Sequence, residues 1–187
     1  MLDDLFVPHT LESAPAEARP IMEGTARKFG HVPAAVALMA GAPQVLKGFL
    51  AANGAFEQTS LTPLQREVVV MTVATRNACH LCVAMHTAAL AGLEAPAELV
   101  ENLRERKPLP EPRLEALRLF TLAVMDRRGA VTDEEMRAFL DAGHTSRNAL
   151  EVVLGIGAYT ISTFANRMTA APVDPAFQPF AWEGEPT

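Results

Sequence analysis

Two cysteines and a histidine lie close together near the middle of the chain. Cys79 and Cys82 are three positions apart, and His86 follows Cys82 by four. In a helix this spacing puts the three side chains near one face, so two sulfur atoms and an imidazole can meet. The thiolate is the reactive form of cysteine, and a free thiol is mostly protonated at neutral pH. The spacing therefore predicts a dithiol that an imidazole can deprotonate and that can oxidise to a disulfide.

Glu67 adds a carboxylate to this group. It precedes the run 68–74, which is apolar on all sides and is therefore expected to form a buried helix. A carboxylate on such a helix has its charged form disfavoured unless it has a partner. The connection after Arg76 is short enough to fold the next helix back, so we expect Glu67 to face His86 or Cys82, directly or through one water. That arrangement would relay a proton between thiol, imidazole and carboxylate.

Capping signals predict the helices that position these side chains. Thr62 and Gln65 form a capping box that begins a helix over residues 63–76. Asn77 then suits the N-cap of the next helix, which places Cys79 in its first turn. Unpaired N–H groups and the dipole at a helix start favour negative charge. Electrostatics alone therefore favours Cys79 as the thiolate.

Helix patterns continue over the rest of the chain, whereas the sequence contains neither clear strand patterns nor Asn-Gly or Asp-Gly hairpin turns. A second capping signature starts at Thr132, and Gly143 can end that helix in the left-handed conformation. The predicted helices cover residues 15–29, 43–56, 63–76, 78–93, 97–106, 112–124, 132–143 and 146–168. The last is the longest, and because it is apolar on most sides we expect it to be central. The sequence thus predicts the all-α class, with the CxxC at the start of a core helix.

The chain is predicted to form one all-α domain over residues 1–170, followed by a proline-rich arm over residues 171–187. The four prolines of the arm are expected to prevent regular structure. The arm also carries Phe177, Phe180 and Trp182, which are unusual in a solvated chain end. We therefore expect the arm to pack on its own domain or on a neighbouring subunit.

Composition excludes several classes of protein. The 187 residues are 49% hydrophobic and 20% charged, which is ordinary globular usage. The net charge of −6 and pI of about 5.4 argue against nucleic-acid binding. Two cysteines do not make a disulfide scaffold. The acidic start is unlike a signal peptide, and the apolar stretch 149–165 contains Glu151 and is short for a membrane span. We expect a soluble cytoplasmic protein that binds no membrane.

Simpler interpretations of the same residues stay open. Cys79, Cys82 and His86 could hold a metal ion, with Glu67 or water as the fourth ligand. Both cysteines could instead be inert core residues, since free cysteine is commonly buried. His80 is expected to be exposed at the helix start. Three polar residues of the last helix are expected to be structural: Tyr159, Asn166 and Arg167.

The spacing of four residues resembles a family pattern. Glu67, eleven residues, Cys79-His80-Leu81-Cys82, three residues and His86 match the pattern E-x11-C-x2-C-x3-H of AhpD-like alkylhydroperoxidases, within the carboxymuconolactone decarboxylase superfamily. Leu81 stands where the best-characterised members carry a second histidine. Further likeness to the peroxidase-related branch lies in residues 29–33, in Pro43 before a helix and in Asn166-Arg167. The resemblance covers about residues 29–170.

The resemblance implies an all-α AhpD-like bundle that assembles as trimers or hexamers, and a thiol peroxidase that needs no cofactor or metal. Cys82 would attack an organic hydroperoxide and become a sulfenic acid, and Cys79 would then condense with it to a disulfide. Glu67 and His86 would carry the proton relay that activates Cys82. A lipoyl-bearing protein or another dithiol would reduce the disulfide.

Two other functions stay open. One is a cofactor-free decarboxylase or lactone-processing enzyme, although such relatives generally lack the cysteine pair. The other is a non-catalytic redox-sensing protein that uses the disulfide as a switch. A thioredoxin-type oxidoreductase fits poorly, because its CxxC follows a strand and no strand is predicted before Cys79.

Overall fold

The computed structural model describes residues 5–184, which form nine α-helices and one short 3₁₀ helix without any strand. The predicted all-α class is confirmed. The helices are α1 Arg19–Phe29, α2 Ala34–Met39, α3 Pro43–Glu57, α4 Pro63–Arg76, α5 His80–Gly92, α6 Ala97–Arg104, α7 Pro112–Asp126, α8 Asp133–Asp141 and α9 Ser146–Met168, and the 3₁₀ helix is Pro175–Phe180.

Helix α4 forms the centre of the domain and packs against α5, α6, α7 and α9. It begins with the predicted capping box, in which Thr62 and Gln65 each accept a hydrogen bond from the other's backbone N–H. The segment 68–75 is buried throughout. The polar residues Thr72 and Thr75 satisfy their hydroxyls by donating to backbone carbonyls one turn earlier. The buried helix predicted from the run of apolar residues is thus confirmed.

Helix α9 lies along α3 and α4 and also contacts α5 and α7, so its predicted central place is confirmed. The close approach of α9 to α3 and α4 depends on Gly155. A Cβ atom at that position would lie 2.7 Å from the ring of Phe56 and 3.0 Å from Val69, too close for either to accept without moving. The missing side chain therefore lets α9 pack closely against α3 and α4.

The length and composition of α9 alone, among the described residues, would suit a membrane span. Half of its most apolar window is buried inside the domain, as in the core helix of a globular protein. Its outer face nevertheless exposes a row of large apolar side chains: Leu150, Val153, Ile161, Phe164 and Met168.

Several predicted boundaries shift for local reasons. Helix α1 begins at Arg19 instead of residue 15, because Pro20 lacks an N–H and is tolerated only in a first turn. Helix α6 ends at Arg104, two residues early, and Arg106 adopts a left-handed φ of 59°. The six-residue α2 was not predicted, since one and a half turns carry too little periodicity to detect.

The expectation that prolines prevent regular structure in the C-terminal arm is wrong for residues 175–180. A short 3₁₀ helix needs few hydrogen bonds. Here the backbone N–H of Phe177 donates to the carbonyl of Asp174, and that of Ala181 donates to the carbonyl of Gln178. Pro186 lies outside the described residues. The arm packs on its own domain: Trp182 is buried, and its indole N–H donates to the carbonyl of Arg104 at 3.1 Å.

Candidate functional site

The turn between α4 and α5 places the cysteines. Asn77 and Ala78 complete the end of α4, and Cys79 N–H still donates to the carbonyl of Ala74. The predicted N-cap at Asn77 is therefore wrong, because α4 already uses that residue. Cys79 is itself the N-cap of α5, and its Sγ accepts a hydrogen bond from Cys82 N–H at 3.4 Å. A sulfur atom thus takes the place that an oxygen usually fills.

The two sulfur atoms are hydrogen-bonded to each other at 2.8 Å and form no disulfide. Both residues are buried, with 1% of Cys79 and 2% of Cys82 exposed. The hydrogen bond between them lowers the pKa of Cys79, aided by Cys82 N–H. The same hydrogen bond, together with burial, raises the pKa of Cys82. The pair therefore gives up a first proton readily and holds the second, as expected for one charge shared between two sulfurs.

Helix α9 supplies the remaining polar contacts of Cys82. Asn166 Nδ2 donates to Cys82 Sγ at 3.3 Å, and Ser162 Oγ lies 3.7 Å from the same sulfur. Sequence reasoning missed Ser162 and treated Asn166 as structural. The detectable signal was a stripe of three polar side chains at positions 159, 162 and 166, which share one face of α9.

Glu67 and His86 form the second half of the site. Glu67 Oε2 accepts a hydrogen bond from His86 Nδ1 at 2.8 Å, and the two side chains are only 14% and 15% exposed. The predicted contact between Glu67 on α4 and His86 on α5 is thus confirmed. A carboxylate on Nδ1 fixes the tautomer and leaves Nε2 to exchange a proton. The catalytic roles predicted for these residues stay predictions.

Tyr159 joins the two halves. The edge of its ring packs against the imidazole of His86, with ring centroids 5.0 Å apart. Its hydroxyl donates to Asn53 Oδ1 at 2.9 Å. Burial and the charge of Glu67 raise the pKa of this phenol, so it stays protonated. Tyr159 therefore holds the imidazole in place, one turn before Ser162 on the same helix.

His80 and Arg167 make contacts that connect separate segments of the fold. His80 is exposed at the start of α5, as predicted, and its Nδ1 donates to the backbone carbonyl of Trp182 at 2.6 Å. Arg167 donates to the carbonyl of Asn77 at 2.8 Å, which ties α9 to the α4–α5 turn. Within residues 5–184, no three His, Cys, Asp or Glu side chains lie together in a way that could hold a metal ion.

The segment that carries this site is similar to a known protein family. Residues 43–123, which carry α4, the dithiol and the Glu67–His86 pair, match the model of the carboxymuconolactone decarboxylase family. Among curated protein sequences, none matches the chain.

Solved structures share the fold over nearly the whole chain. An uncharacterized peroxidase-related protein with an alkylhydroperoxidase AhpD core, from Ralstonia eutropha JMP134, is 22% identical, with a TM-score of 0.81 and 97% of each chain covered. A peroxidase-related protein from Silicibacter sp. TM1040 is 21% identical, with a TM-score of 0.73 and 88% of each chain covered. The debrominase Bmp8 is 14% identical, with a TM-score of 0.75, covering 96% of this chain and 97% of its own. These similarities establish the fold, which proteins with different activities share.

Proposed function

Because residues 43–123 match the model of the carboxymuconolactone decarboxylase family and the chain has an AhpD-like fold, we propose that it is a member of that superfamily and a thiol-dependent peroxidase that reduces organic hydroperoxides. The observation that carries this proposal is the pair of free thiols 2.8 Å apart at the start of α5, one helical turn before His86, which is hydrogen-bonded to the half-buried Glu67. Members of the superfamily are generally enzymes, and the dithiol is the group here that can gain and lose two electrons.

The first step oxidises Cys82. His86 takes one proton from the dithiol, and Glu67 stabilises the resulting imidazolium. The Cys82 thiolate then attacks the terminal oxygen of the hydroperoxide R–O–O–H. A sulfur–oxygen bond forms, the oxygen–oxygen bond breaks, and two electrons pass from sulfur to the peroxide. The alkoxide that leaves takes the proton from His86 and departs as the alcohol, with Cys82 left as a sulfenic acid.

The second step forms the disulfide. Cys79 gives its proton to His86 and attacks Cys82, so that a sulfur–sulfur bond forms and the sulfur–oxygen bond breaks. The hydroxide that leaves takes the same proton and becomes water. The 2.8 Å separation of the two sulfurs supports this step, because little movement is needed to join them. A dithiol, in the cell a lipoyl-bearing protein, then reduces the disulfide by exchange. We place this antioxidant cycle in the cytoplasm.

We also propose that the protein is a homo-oligomer, a trimer or hexamer, associated through the outer face of α9. That face exposes 74% of Leu150, 54% of Phe164 and 70% of Met168, an apolar row that a second copy can cover. Sedimentation of the full-length protein measures the state directly, and a monomer at every concentration would contradict the proposal.

Turnover of cumene hydroperoxide with dithiothreitol as reductant tests the peroxidase function. We expect the wild-type protein to turn over and Cys82→Ser to fall to the background rate of the reductant. Cys79→Ser should complete one step and stop as a sulfenic acid that dimedone traps. Intact mass after one equivalent of peroxide should show the loss of two hydrogens in the wild-type protein only. Full turnover by Cys82→Ser would refute the mechanism.

A further inference from the structure

Asn166 has a hydrogen-bonding group that the fold leaves unused. Its side chain is 4% exposed, and Nδ2 donates to Cys82 Sγ at 3.3 Å and to Ser162 Oγ at 3.4 Å. The other end of the same amide, Oδ1, is buried and has no hydrogen-bond partner within the described part of the chain. Leaving a buried acceptor unpaired costs free energy, so such a group requires an explanation.

The helix scaffold does not need this amide. Asparagine in the interior of a helix is a poorer helix former than leucine, which has a similar size. Cys82 needs no amide for packing either, since it is enclosed in the apolar core. The contact therefore suggests a chemical role at sulfur.

The Nδ2 contact stabilises negative charge on the thiol pair, including the sulfur that attacks. The helix start favours charge on Cys79, which caps α5, and the thiol pair holds one charge between its two members. Asn166 Nδ2 and Ser162 Oγ both approach Cys82, and their hydrogen bonds lower the pKa of that thiol against the effect of its burial. A thiolate accepts hydrogen bonds more strongly than a thiol. These donors offset part of the burial that disfavours charge on Cys82, and Asn166 also lowers the pKa of Cys79, so its amide stabilises the charge that the two sulfurs share.

The Oδ1 atom calls for a donor from outside the protein. Oδ1 and Nδ2 are bonded to one carbon, so a small atom on the Asn166 side of Cys82 Sγ can lie close to both the sulfur and Oδ1. A hydroperoxide R–O–O–H ends in an O–H group, and its terminal oxygen is the atom that a thiolate attacks. The two ends of one amide can therefore hold both reacting atoms, the sulfur through Nδ2 and the terminal oxygen through Oδ1.

We propose that Asn166 is the hydroperoxide-binding residue, with Nδ2 holding the Cys82 thiolate and Oδ1 accepting a hydrogen bond from the terminal O–H of the substrate. Ser162 is a second, weaker donor to the thiolate. This proposal rests on the proposed peroxidase function for its Oδ1 half, whereas its Nδ2 half concerns the thiol pair itself.

The experiment compares three variants of the full-length protein with the wild type. Asn166→Leu keeps the size and removes both polar atoms. Asn166→Asp keeps an acceptor oxygen and lacks the N–H donor. Asn77→Ala is the matched control, because its amide donates to Thr163 on the same helix at 3.0 Å and does not contact sulfur. Circular dichroism and thermal melting check that each variant is folded.

Two measurements are made on each reduced protein. The first follows the ultraviolet absorbance of the thiolate against pH, which requires no substrate. The second follows disulfide formation by quenched mass spectrometry against the concentration of tert-butyl hydroperoxide.

We expect Asn166→Leu to shift the thiolate titration to higher pH and to slow oxidation by about 10²-fold, the loss typical when a donor is removed from a reacting anion. Asn166→Asp should shift the titration as well, but should keep a half-saturating hydroperoxide concentration near that of the wild type. Asn77→Ala should change neither.

Three outcomes would overturn the proposal. If Asn166→Leu changes neither the thiolate titration nor the rate of oxidation, Oδ1 of the wild-type protein binds only water. An equal loss in Asn77→Ala would assign the effect to the packing of α9. If Asn166→Asp and Asn166→Leu raise the half-saturating hydroperoxide concentration equally, substrate binding at Oδ1 is refuted. If the wild-type protein does not react with the hydroperoxide, the peroxidase function and the Oδ1 half fail together, and the titration still decides the Nδ2 half.

Discussion

Two glutamates, one buried and one half-buried, show how differently one fold can treat the same side chain. Glu151 on α9 is 8% exposed, and its carboxylate accepts four hydrogen bonds. Ser60 donates through its backbone N–H at 2.9 Å and its hydroxyl at 2.7 Å, Asn148 donates at 3.0 Å and Arg147 at 2.9 Å. Every donor comes from a helix end or a turn, so this carboxylate fastens the start of α9 to the turn before α4.

Glu67 is almost as enclosed but has a different kind of partner. Within residues 5–184 its carboxylate accepts one hydrogen bond, from His86. An imidazole can gain or lose a proton near neutral pH, whereas a backbone amide, a hydroxyl or a guanidinium cannot. The comparison teaches that burial of an acid does not by itself indicate chemistry. The number of its donors and their ability to transfer a proton separate the structural glutamate from the reactive one.

The largest expected effect comes from Glu67→Gln. Glutamine keeps the size and can still hydrogen-bond to His86, but it cannot stabilise an imidazolium. We expect kcat/KM for cumene hydroperoxide to fall by about 10²-fold or more, because general acid–base catalysis contributes about 10²–10⁴-fold. The free energy of unfolding should change by less than about 1 kcal/mol. Glu151→Gln, assayed in parallel, is the matched control; equal losses of activity in both variants would erase the distinction.

Glu151→Ala should show the opposite profile. The change removes the acceptor that the Ser60 N–H and hydroxyl share and one of the two acceptors of the Asn148 amide, which costs about 1–3 kcal/mol. For a domain of this size the melting temperature falls by about 2–4 °C per kcal/mol. Turnover measured well below the melting temperature should stay within about twofold of wild type, since the sites are independent. A stable but inactive Glu151→Ala protein would place this residue in the chemistry instead.

The pH dependence of stability gives the smallest and most specific test. Burial alone would raise the pKa of Glu151, but the hydrogen bonds from Ser60, Asn148 and Arg147 outweigh it and lower that pKa. The unfolded chain then binds the proton more readily than the folded one. The stabilisation is therefore present above the ordinary pKa of a glutamate and is lost as the pH falls through the lowered value.

Urea unfolding of the wild type and of Glu151→Gln over a pH series measures this contribution. The difference in unfolding free energy should be greatest near neutral pH and should shrink in acid. A difference that grows as the pH falls would show that the carboxylate is held in its neutral form.

The sequence predicted what depends on local signals. The bounds predicted for α4 from the capping box at Thr62, and for α9 from its long and mostly apolar pattern, agree with the structure. The contact between Glu67 and His86 could be predicted because a short turn must fold α5 back on α4.

Contacts between distant segments could not be predicted in this way. Ser162 and Asn166 reach Cys82 across 80 and 84 positions of chain, through a helix whose rotation is set by the close packing at Gly155. The hydrophobic periodicity of α9 does not reveal how the helix is rotated about its axis. The N-cap was misplaced by two residues because Asn77 is a good cap by type, whereas the end of α4 already uses it. The packing of the C-terminal arm on its own domain likewise depends on a distant contact, the hydrogen bond from the Trp182 indole to the carbonyl of Arg104.

The sulfur that begins α5 has an energetic consequence. Negative charge on Cys79 and the unpaired N–H groups of the first turn stabilise each other, and a disulfide would remove that charge. Any interaction that favours the reduced form of a dithiol raises its reduction potential. The helix start therefore makes the oxidised protein the stronger oxidant of its partners, so mild thiol donors suffice to reset it.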